Sequence, residues 1–185
     1  MPNTLISLST PFWVDGLERT PIGPVSAAVT EMGLARLNFC SPQMLKQELR
    51  SHPVFDGQAH GGLLQNVLDQ IQAYFNATRI TFDLPLDWRV FTEFQQQVLK
   101  ATFAIPFGQV RSYQQLAAQI GKPKAVRAVG NAEAHNLIPL VIPCHRVVNS
   151  TGGLHGYSAP GGLDTKAWLL RMEGHQVTNN QLQEI

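Results

Sequence analysis

Apolar residues recur along this chain with two periods, and the change from one to the other divides it. Within residues 22–39, Pro24–Thr30 and Leu34–Phe39 read as two short strands joined around Met32-Gly33. Over residues 61–76, Leu64, Val67, Leu68, Ile71 and Phe75 fall at helical spacing, which predicts an amphipathic helix against that sheet. Thr81–Asp87, with Pro85 inside it, reads as a linker or an edge strand. The pattern therefore places an α/β lobe over residues 1–88 and a second lobe over 89–185. Residues 1–19 carry no assigned role beyond Phe12-Trp13, which can pack on the first lobe.

Helical signals dominate the second lobe. Thr92-Glu93-Phe94-Gln95 has the form of a capping box, and Phe94, Val98 and Leu99 supply a buried stripe after it. Ser112-Tyr113-Gln114-Gln115 is a second such box, opening a helix that Gly121 should close. Lys122-Pro123 makes the turn, and another helix runs from about Lys124 to Ala134. On it Ala125, Ala128, Val129 and Ala132 share one face, while Arg127, Gly130, Asn131 and Ala134 lie opposite. This is the layout of a helix-turn-helix. Gly161-Gly162 precede a last helix, Leu163 to Met172, which stops at Glu173-Gly174-His175.

Composition narrows the class. A hydrophobic fraction of 44% and a charged fraction of 15% over 185 residues describe globular lobes. Neither a basic leader with an apolar run nor an apolar stretch of about 18 residues occurs. The expectation is a cytoplasmic protein (nuclear in a eukaryote) with no membrane partner. Cys40 and Cys144 fit a reducing interior better than a disulfide framework, and Cys40 is taken as structural. With no Cys-x-x-Cys or His-x-x-x-His pair, neither a metal nor a cofactor is expected. The net charge of +1 hides an asymmetry. Residues 1–99 hold six Lys/Arg against nine Asp/Glu, whereas residues 100–150 hold Lys100, Arg111, Lys122, Lys124, Arg127 and Arg146 against Glu133 alone. Such a segment is an electrostatic footprint for phosphate, or else a solvated basic face.

The candidate chemistry lies in Pro143-Cys144-His145-Arg146-Val147, just after the apolar run Ile138 to Ile142. A thiolate is a nucleophile that a nearby imidazole can generate, yet a buried cysteine is as often only structural. Asn136 either caps the preceding helix or ties its end to the loop through its amide. Glu173 alone would read as an exposed charge at a helix end.

From about Thr20 to His175 the chain resembles the O6-alkylguanine-DNA alkyltransferases, the methylated-DNA–protein-cysteine methyltransferases. The segments that carry the resemblance are Thr20-Pro21-Ile22-Gly23-Pro24, Phe94-Gln95-Gln96-Gln97-Val98, Ser112-Tyr113-Gln114-Gln115-Leu116-Ala117, Arg127-Ala128-Val129-Gly130, Ile142-Pro143-Cys144-His145-Arg146-Val147-Val148 and Gly156-Tyr157-Ser158. The resemblance implies a three-layer or ribonuclease-H-like α/β first lobe and a mostly helical, DNA-binding second lobe. The implied partner is double-stranded DNA containing O6-alkylguanine, bound by a monomer. Cys144 would take the alkyl group irreversibly, one turnover per molecule. His145 would accept the thiol proton through a water, Glu173 would orient the imidazole, and Asn136 belongs to the same catalytic set. Arg127, Ala128, Gly130, Tyr113 and Ser112 would meet the DNA, with Arg127 filling the space of a flipped base. Tyr113 would also protonate the departing guanine. Tyr157, Ser158 and Val147 would form the base pocket.

Relatives that only sense the lesion usually carry tryptophan at the cysteine, and this chain keeps Cys144. Three departures stand out. Glu133 would lie near phosphates and weaken DNA binding. Asn136-Leu137 replaces the more usual Asn-Pro, and Ser158–Gly162 is two residues longer than in many relatives. The zinc ligands of some members and the regulatory domain of inducible bacterial forms are absent. Three rivals stay open: a lesion sensor without transfer, a Cys-His hydrolase that regenerates its thiol, and a helix-turn-helix regulator indifferent to Cys144→Ser.

Overall fold

The structure, a computed structural model, describes residues 6–57, 62–78 and 80–183. These residues divide into two compact units, with the division between Thr92 and Glu93.

The first unit is built on a four-stranded sheet in the order β3-β2-β1-β4, comprising β1 (Phe12–Leu17), β2 (Val25–Thr30), β3 (Gly33–Asn38) and β4 (Val54–Asp56). β1 and β3 both run antiparallel to β2, and β4 runs parallel to β1. Every residue of β2 is buried, so this central strand is a continuous apolar run with Ser26 and Thr30 as its polar members. Thr30 meets that burial by donating from Oγ1 to Asp87 Oδ2 at 2.6 Å. Two helices pack on the sheet: α1 (Pro42–Glu48), capped by Ser41, and α2 (Leu63–Phe75). α2 buries Leu64, Val67, Leu68, Ile71 and Phe75, the stripe its periodicity predicts, together with Tyr74. Position 61, where that helix was expected to begin, lies outside the described residues. The stretch read as linker or edge strand contributes one parallel bridge, Leu34 to Leu86, on the β3 edge. Gly33 permits it: a Cβ there would stand 2.3 Å from the Pro85 carbonyl oxygen, and φ is +138°.

The second unit runs α3 (Glu93–Phe103), β5 (Arg111–Ser112), α4 (Tyr113–Gln119), α5 (Val126–Ala134), β6 (Val147–Val148), α6 (Leu163–Met172), β7 (Val177–Thr178) and β8 (Gln181–Leu182). The α4 capping box is complete, with Gln115 N donating to Ser112 Oγ and Ser112 N donating to Gln115 Oε1. α4 ends in a Schellman motif. Lys122 N donates to Ala117 O, Gly121 N donates to Ala118 O, and Gly121 adopts φ +73°. Ala125 N then closes a turn onto Lys122 O around Pro123, so α5 starts at Val126 and not at Lys124. α3, α4 and α5 bury Val98, Ala101, Leu116, Ala117, Val129 and Ala132 against one another. Ala128, placed by periodicity on this buried face, is exposed, and Glu133 is buried in its stead. No helix among the described residues is long and apolar enough to cross a membrane.

Candidate active site

Cys144 opens a short 3₁₀ turn, Cys144–Arg146, whose entry is fixed from two sides. Cys144 N donates to Ile142 O at 2.8 Å, and Arg146 N donates to Pro143 O at 2.8 Å. Asn136, buried at the end of α5, holds the same loop with both ends of its amide: Nδ2 donates to Ile142 O at 2.8 Å and Oδ1 accepts from Ile138 N at 3.0 Å. The amide therefore ties helix to loop. Burial pushes the Cys144 thiol up to about 12 and the charge of Glu133 adds to this, while Asn136 and Lys166 pull it back. The resting sulfur is a protonated thiol.

Behind it lies a buried ion cluster. His145 is fully buried, and its Nε2 lies 2.8 Å from Glu173 Oε1. Glu173 is the C-cap of α6, and Gly174 at φ +94° closes the helix as a Schellman turn, with His175 N donating to Leu170 O. Arg146 donates from Nε to Glu173 Oε2 at 2.8 Å, from Nη2 to Glu173 Oε1 at 2.9 Å and from Nη1 to Ile105 O at 2.6 Å. Burial works against the Glu173 carboxylate, but the hydrogen bonds and charges of His145 and Arg146 outweigh it and hold the group at about 2. Burial lowers the His145 pKa despite Glu173, so the imidazole is neutral at neutral pH. With a carboxylate at Nε2, that nitrogen carries the proton and Nδ1 the lone pair. Arg146, counted from sequence in the phosphate footprint, is only 5% exposed and spent on Glu173. It carries no phosphate contact. Glu173 is likewise no surface charge.

Cys144 lines a cavity of about 660 Å³ bounded by Tyr113, Arg127, Gly130, Glu133, Ala134, His155, Gly156, Tyr157 and Ser158, among others. The structure thus brings Cys144, Tyr113, Arg127, Gly130, Tyr157 and Ser158 to one cavity. Arg127, Ala128 and Asn131 are exposed along α5, and Gly130 faces the Tyr113 ring, 3.9 Å from where a Cβ would stand. Ser112 is buried with its hydroxyl committed to the α4 cap. Val147 does not line the cavity: fully buried, its side chain packs with Val98, Leu116 and Val129 in the core. The long loop divides its residues between two places. Gly162 N donates to Ala159 O, and Thr165 Oγ1 donates to Pro160 O, so residues 159–162 form a turn that starts α6 while 155–158 edge the cavity.

One residue of this region, Lys166, escaped the sequence reading, and another, Glu133, was read in a different place. Lys166 is 1% exposed and donates from Nζ to Val147 O at 2.6 Å and to His155 O at 2.9 Å, pinning the cavity edge to the core. Burial lowers its ammonium to about 8 against the opposing charges of Cys144 and Glu133. Glu133, expected against phosphate, is buried and accepts from Thr102 Oγ1. Burial raises it to about 7, against the hydrogen bond from Thr102 and the charge of Lys166. Glu133 is therefore a buried, cavity-lining carboxyl and not a surface anion of α5. Among the described residues no cluster of three His, Cys, Asp or Glu could hold a metal.

Comparison with known proteins gives the family. The family profile described as the ribonuclease-like domain of 6-O-methylguanine DNA methyltransferase matches residues 14–88, and that of its DNA binding domain matches residues 93–175. A methylated-DNA–protein-cysteine methyltransferase of Methanosarcina barkeri is 42% identical over 158 residues, 85% of this chain and 95% of the relative. One from Mycobacterium tuberculosis is 43% identical over 154 residues, covering 83% and 88%. The crystal structure of Mycobacterium tuberculosis OGT in complex with DNA superposes with a TM-score of 0.71 at 36% identity, covering 86% of this chain and 91% of that one. Matched in both units and over most of its length, the chain belongs to the 6-O-methylguanine DNA methyltransferase family.

Proposed function

We infer that this protein repairs DNA by moving the alkyl group of O6-alkylguanine, chiefly O6-methylguanine, from duplex DNA onto its own Cys144. The observation that carries the reading is a thiol lining a cavity with ample room for a base, backed by a buried His145–Glu173 pair and edged by the second helix of a helix-turn-helix. A base must leave the stack to enter such a cavity. Arg127, exposed on α5 and lining the same cavity, takes the vacated place, and the small Ala128 and Gly130 allow close approach.

The residues then divide the work. Neutral His145 draws the thiol proton through a water onto Nδ1, and Glu173 steadies the imidazolium. The thiolate forms a C–S bond with the alkyl carbon as the C–O6 bond breaks, leaving its electron pair on guanine. Tyr113 gives guanine a proton, and the proton held at His145 returns through solvent to restore the phenol. Burial, then the charges of Glu133 and Cys144, raise Tyr113 to about 12. The Cys144 charge vanishes as the neutral thioether forms, so the phenol becomes a better acid just as guanine needs the proton. Removing the group again would mean cleaving a thioether, so one monomer repairs one lesion.

Peptide mass spectrometry after mixing with duplex DNA bearing one O6-methylguanine tests this. One methyl increment on the Cys144 peptide, saturating at one per molecule, is the expected result. An unmodified Cys144 with the lesion still in the DNA would replace it with a lesion-binding role.

A further inference from the structure

Glu133 is a buried carboxyl for which the transfer chemistry above has no use. It is 7% exposed, lines the cavity beside Cys144, and its Oε2 is buried without a hydrogen-bond partner. Leaving such an oxygen unpaired is costly, which marks it as a group that waits for something. Its neighbours come from four elements. Thr102 of α3 bonds Oε1, while Tyr113 of α4, Cys144 of the 3₁₀ turn and Lys166 of α6 couple to it through charge. The Thr102 hydroxyl has a single hydrogen and two acceptors in reach, Glu133 Oε1 and Val98 O at 3.2 Å. A carboxyl protonated on Oε1 resolves the conflict by donating to Thr102, which then donates to Val98. Oε2 remains an acceptor in either state.

The attacked carbon must come within about 3.5 Å of the Cys144 sulfur. Whatever that carbon carries beyond its hydrogens then shares the cavity that Cys144 and Glu133 both line, where the two side chains interact through charge. We propose that Glu133 is a specificity-determining residue for the alkyl group: Oε2 accepts a hydrogen bond from a substituent that carries a donor, such as the hydroxyl of 2-hydroxyethyl, and the carboxylate rejects an anionic substituent such as carboxymethyl. This rests on the alkyl-transfer reading. Because Glu133 titrates near 7, the rejection strengthens as pH rises through neutrality and relaxes below it.

The test compares single-turnover transfer to Cys144 from duplexes carrying O6-methyl-, O6-(2-hydroxyethyl)- or O6-carboxymethylguanine. Each is run at about pH 6 and about pH 8, to either side of the Glu133 titration, with the parent protein, Glu133→Gln and Glu133→Met. Ratios to methyl transfer cancel the titration of the shared thiol. The carboxymethyl-to-methyl ratio of the parent should rise severalfold, up to about tenfold, from the higher to the lower pH, the ceiling that a group titrating near 7 sets on the change in its protonated fraction. In Glu133→Gln it should be high at both. The hydroxyethyl-to-methyl ratio should fall about three- to tenfold in Glu133→Met, the span of one net hydrogen bond. Ratios unmoved by pH and substitution, or all three rates falling together, would overturn the inference while leaving alkyl transfer intact. A parent protein that transfers no methyl would overturn both. The pH comparison of the parent needs no variant to fold.

Discussion

Replacing Glu173 by Gln keeps the side chain's shape and removes its charge, which isolates what that carboxylate does. Oε1 accepts from His145 Nε2 and Arg146 Nη2, and Oε2 accepts from Arg146 Nε and, at 3.4 Å, from Gly108 N. Every direction around the group presents a donor. A Gln amide must therefore set its NH₂ against at least one of them, whichever way it is turned. Arg146, 5% exposed, loses its carboxylate and keeps its charge. Stripping one partner from a buried pair costs about 3–5 kcal/mol. The titration gives an independent figure, since holding a carboxyl at about 2 in place of 4.5 corresponds to about 3 kcal/mol. The sign follows from the depressed folded pKa: this stabilisation is complete above about pH 4.5 and is lost as pH falls toward about 2. Denaturant unfolding near neutral pH should thus show Glu173→Gln weaker by about 3–5 kcal/mol, with the parent's acid loss across that window much reduced in the variant. If the unpaired guanidinium is the cause, adding Arg146→Met to Glu173→Gln should recover stability, with a coupling of at least about 1 kcal/mol. A loss under about 1 kcal/mol, or simple additivity of the two substitutions, would refute the account of Glu173 as the counter-charge of Arg146.

Glu133 obeys the opposite sign, because its folded pKa is raised from 4.5 to about 7. It costs nothing while protonated in both states and up to about 3 kcal/mol once both states are ionised, so stability should fall as pH climbs from about 4.5 to 7. Glu133→Gln should flatten that fall, as unfolding midpoints at the two pH values would show; equal slopes would count against a buried Glu133. Asn136→Ala strands Ile138 N and frees the loop, for a loss of about 1–3 kcal/mol in denaturant titration. It also removes a bond that eases thiol ionisation, so Cys144 alkylation at fixed pH should slow. Gly121 and Gly33 form a calibrated pair. Nothing lies within 4 Å of a Cβ at Gly121, so Gly121→Ala carries only left-handed strain of about 1 kcal/mol. Gly33→Ala adds a clash with the Pro85 carbonyl and should lose clearly more, at least about 2 kcal/mol, in the same thermal or denaturant assay.

What could be read from sequence was what local chemistry writes. The α4 capping box, the Gly121 stop, the stripe of α2 and the bounds of α6 each follow from residues within a few positions of one another, and each stands in the structure. α1 has a local signal too, Ser41 as cap followed by Pro42. The site was legible as a motif and opaque as an electrostatic system. That His145 and Arg146 share one carboxylate depends on Glu173, 27 residues from Arg146, being turned back by a Schellman cap. Nothing local to Pro143-Cys144-His145 announces it.

Glu133 shows why charge counting fails in such a segment. Periodicity put Ala128 inside and treated Glu133 as one anion among cations, but α5 packs against both α3 and α4. The helix face that meets Thr102 and the cavity is the one bearing Glu133, and Ala128 is left outside with Arg127 and Asn131. The same rotation that takes an anion off the DNA-facing surface puts a titratable carboxyl beside the nucleophile. Lys124 and Arg127 stay exposed as cations open to phosphate, while the charge of Glu133 acts on the Cys144 thiol. On the proposed reading one residue moves from a tax on binding to a control on chemistry, by a helical phase that hydrophobicity alone underdetermines when four of the nine residues of α5 are alanine or glycine.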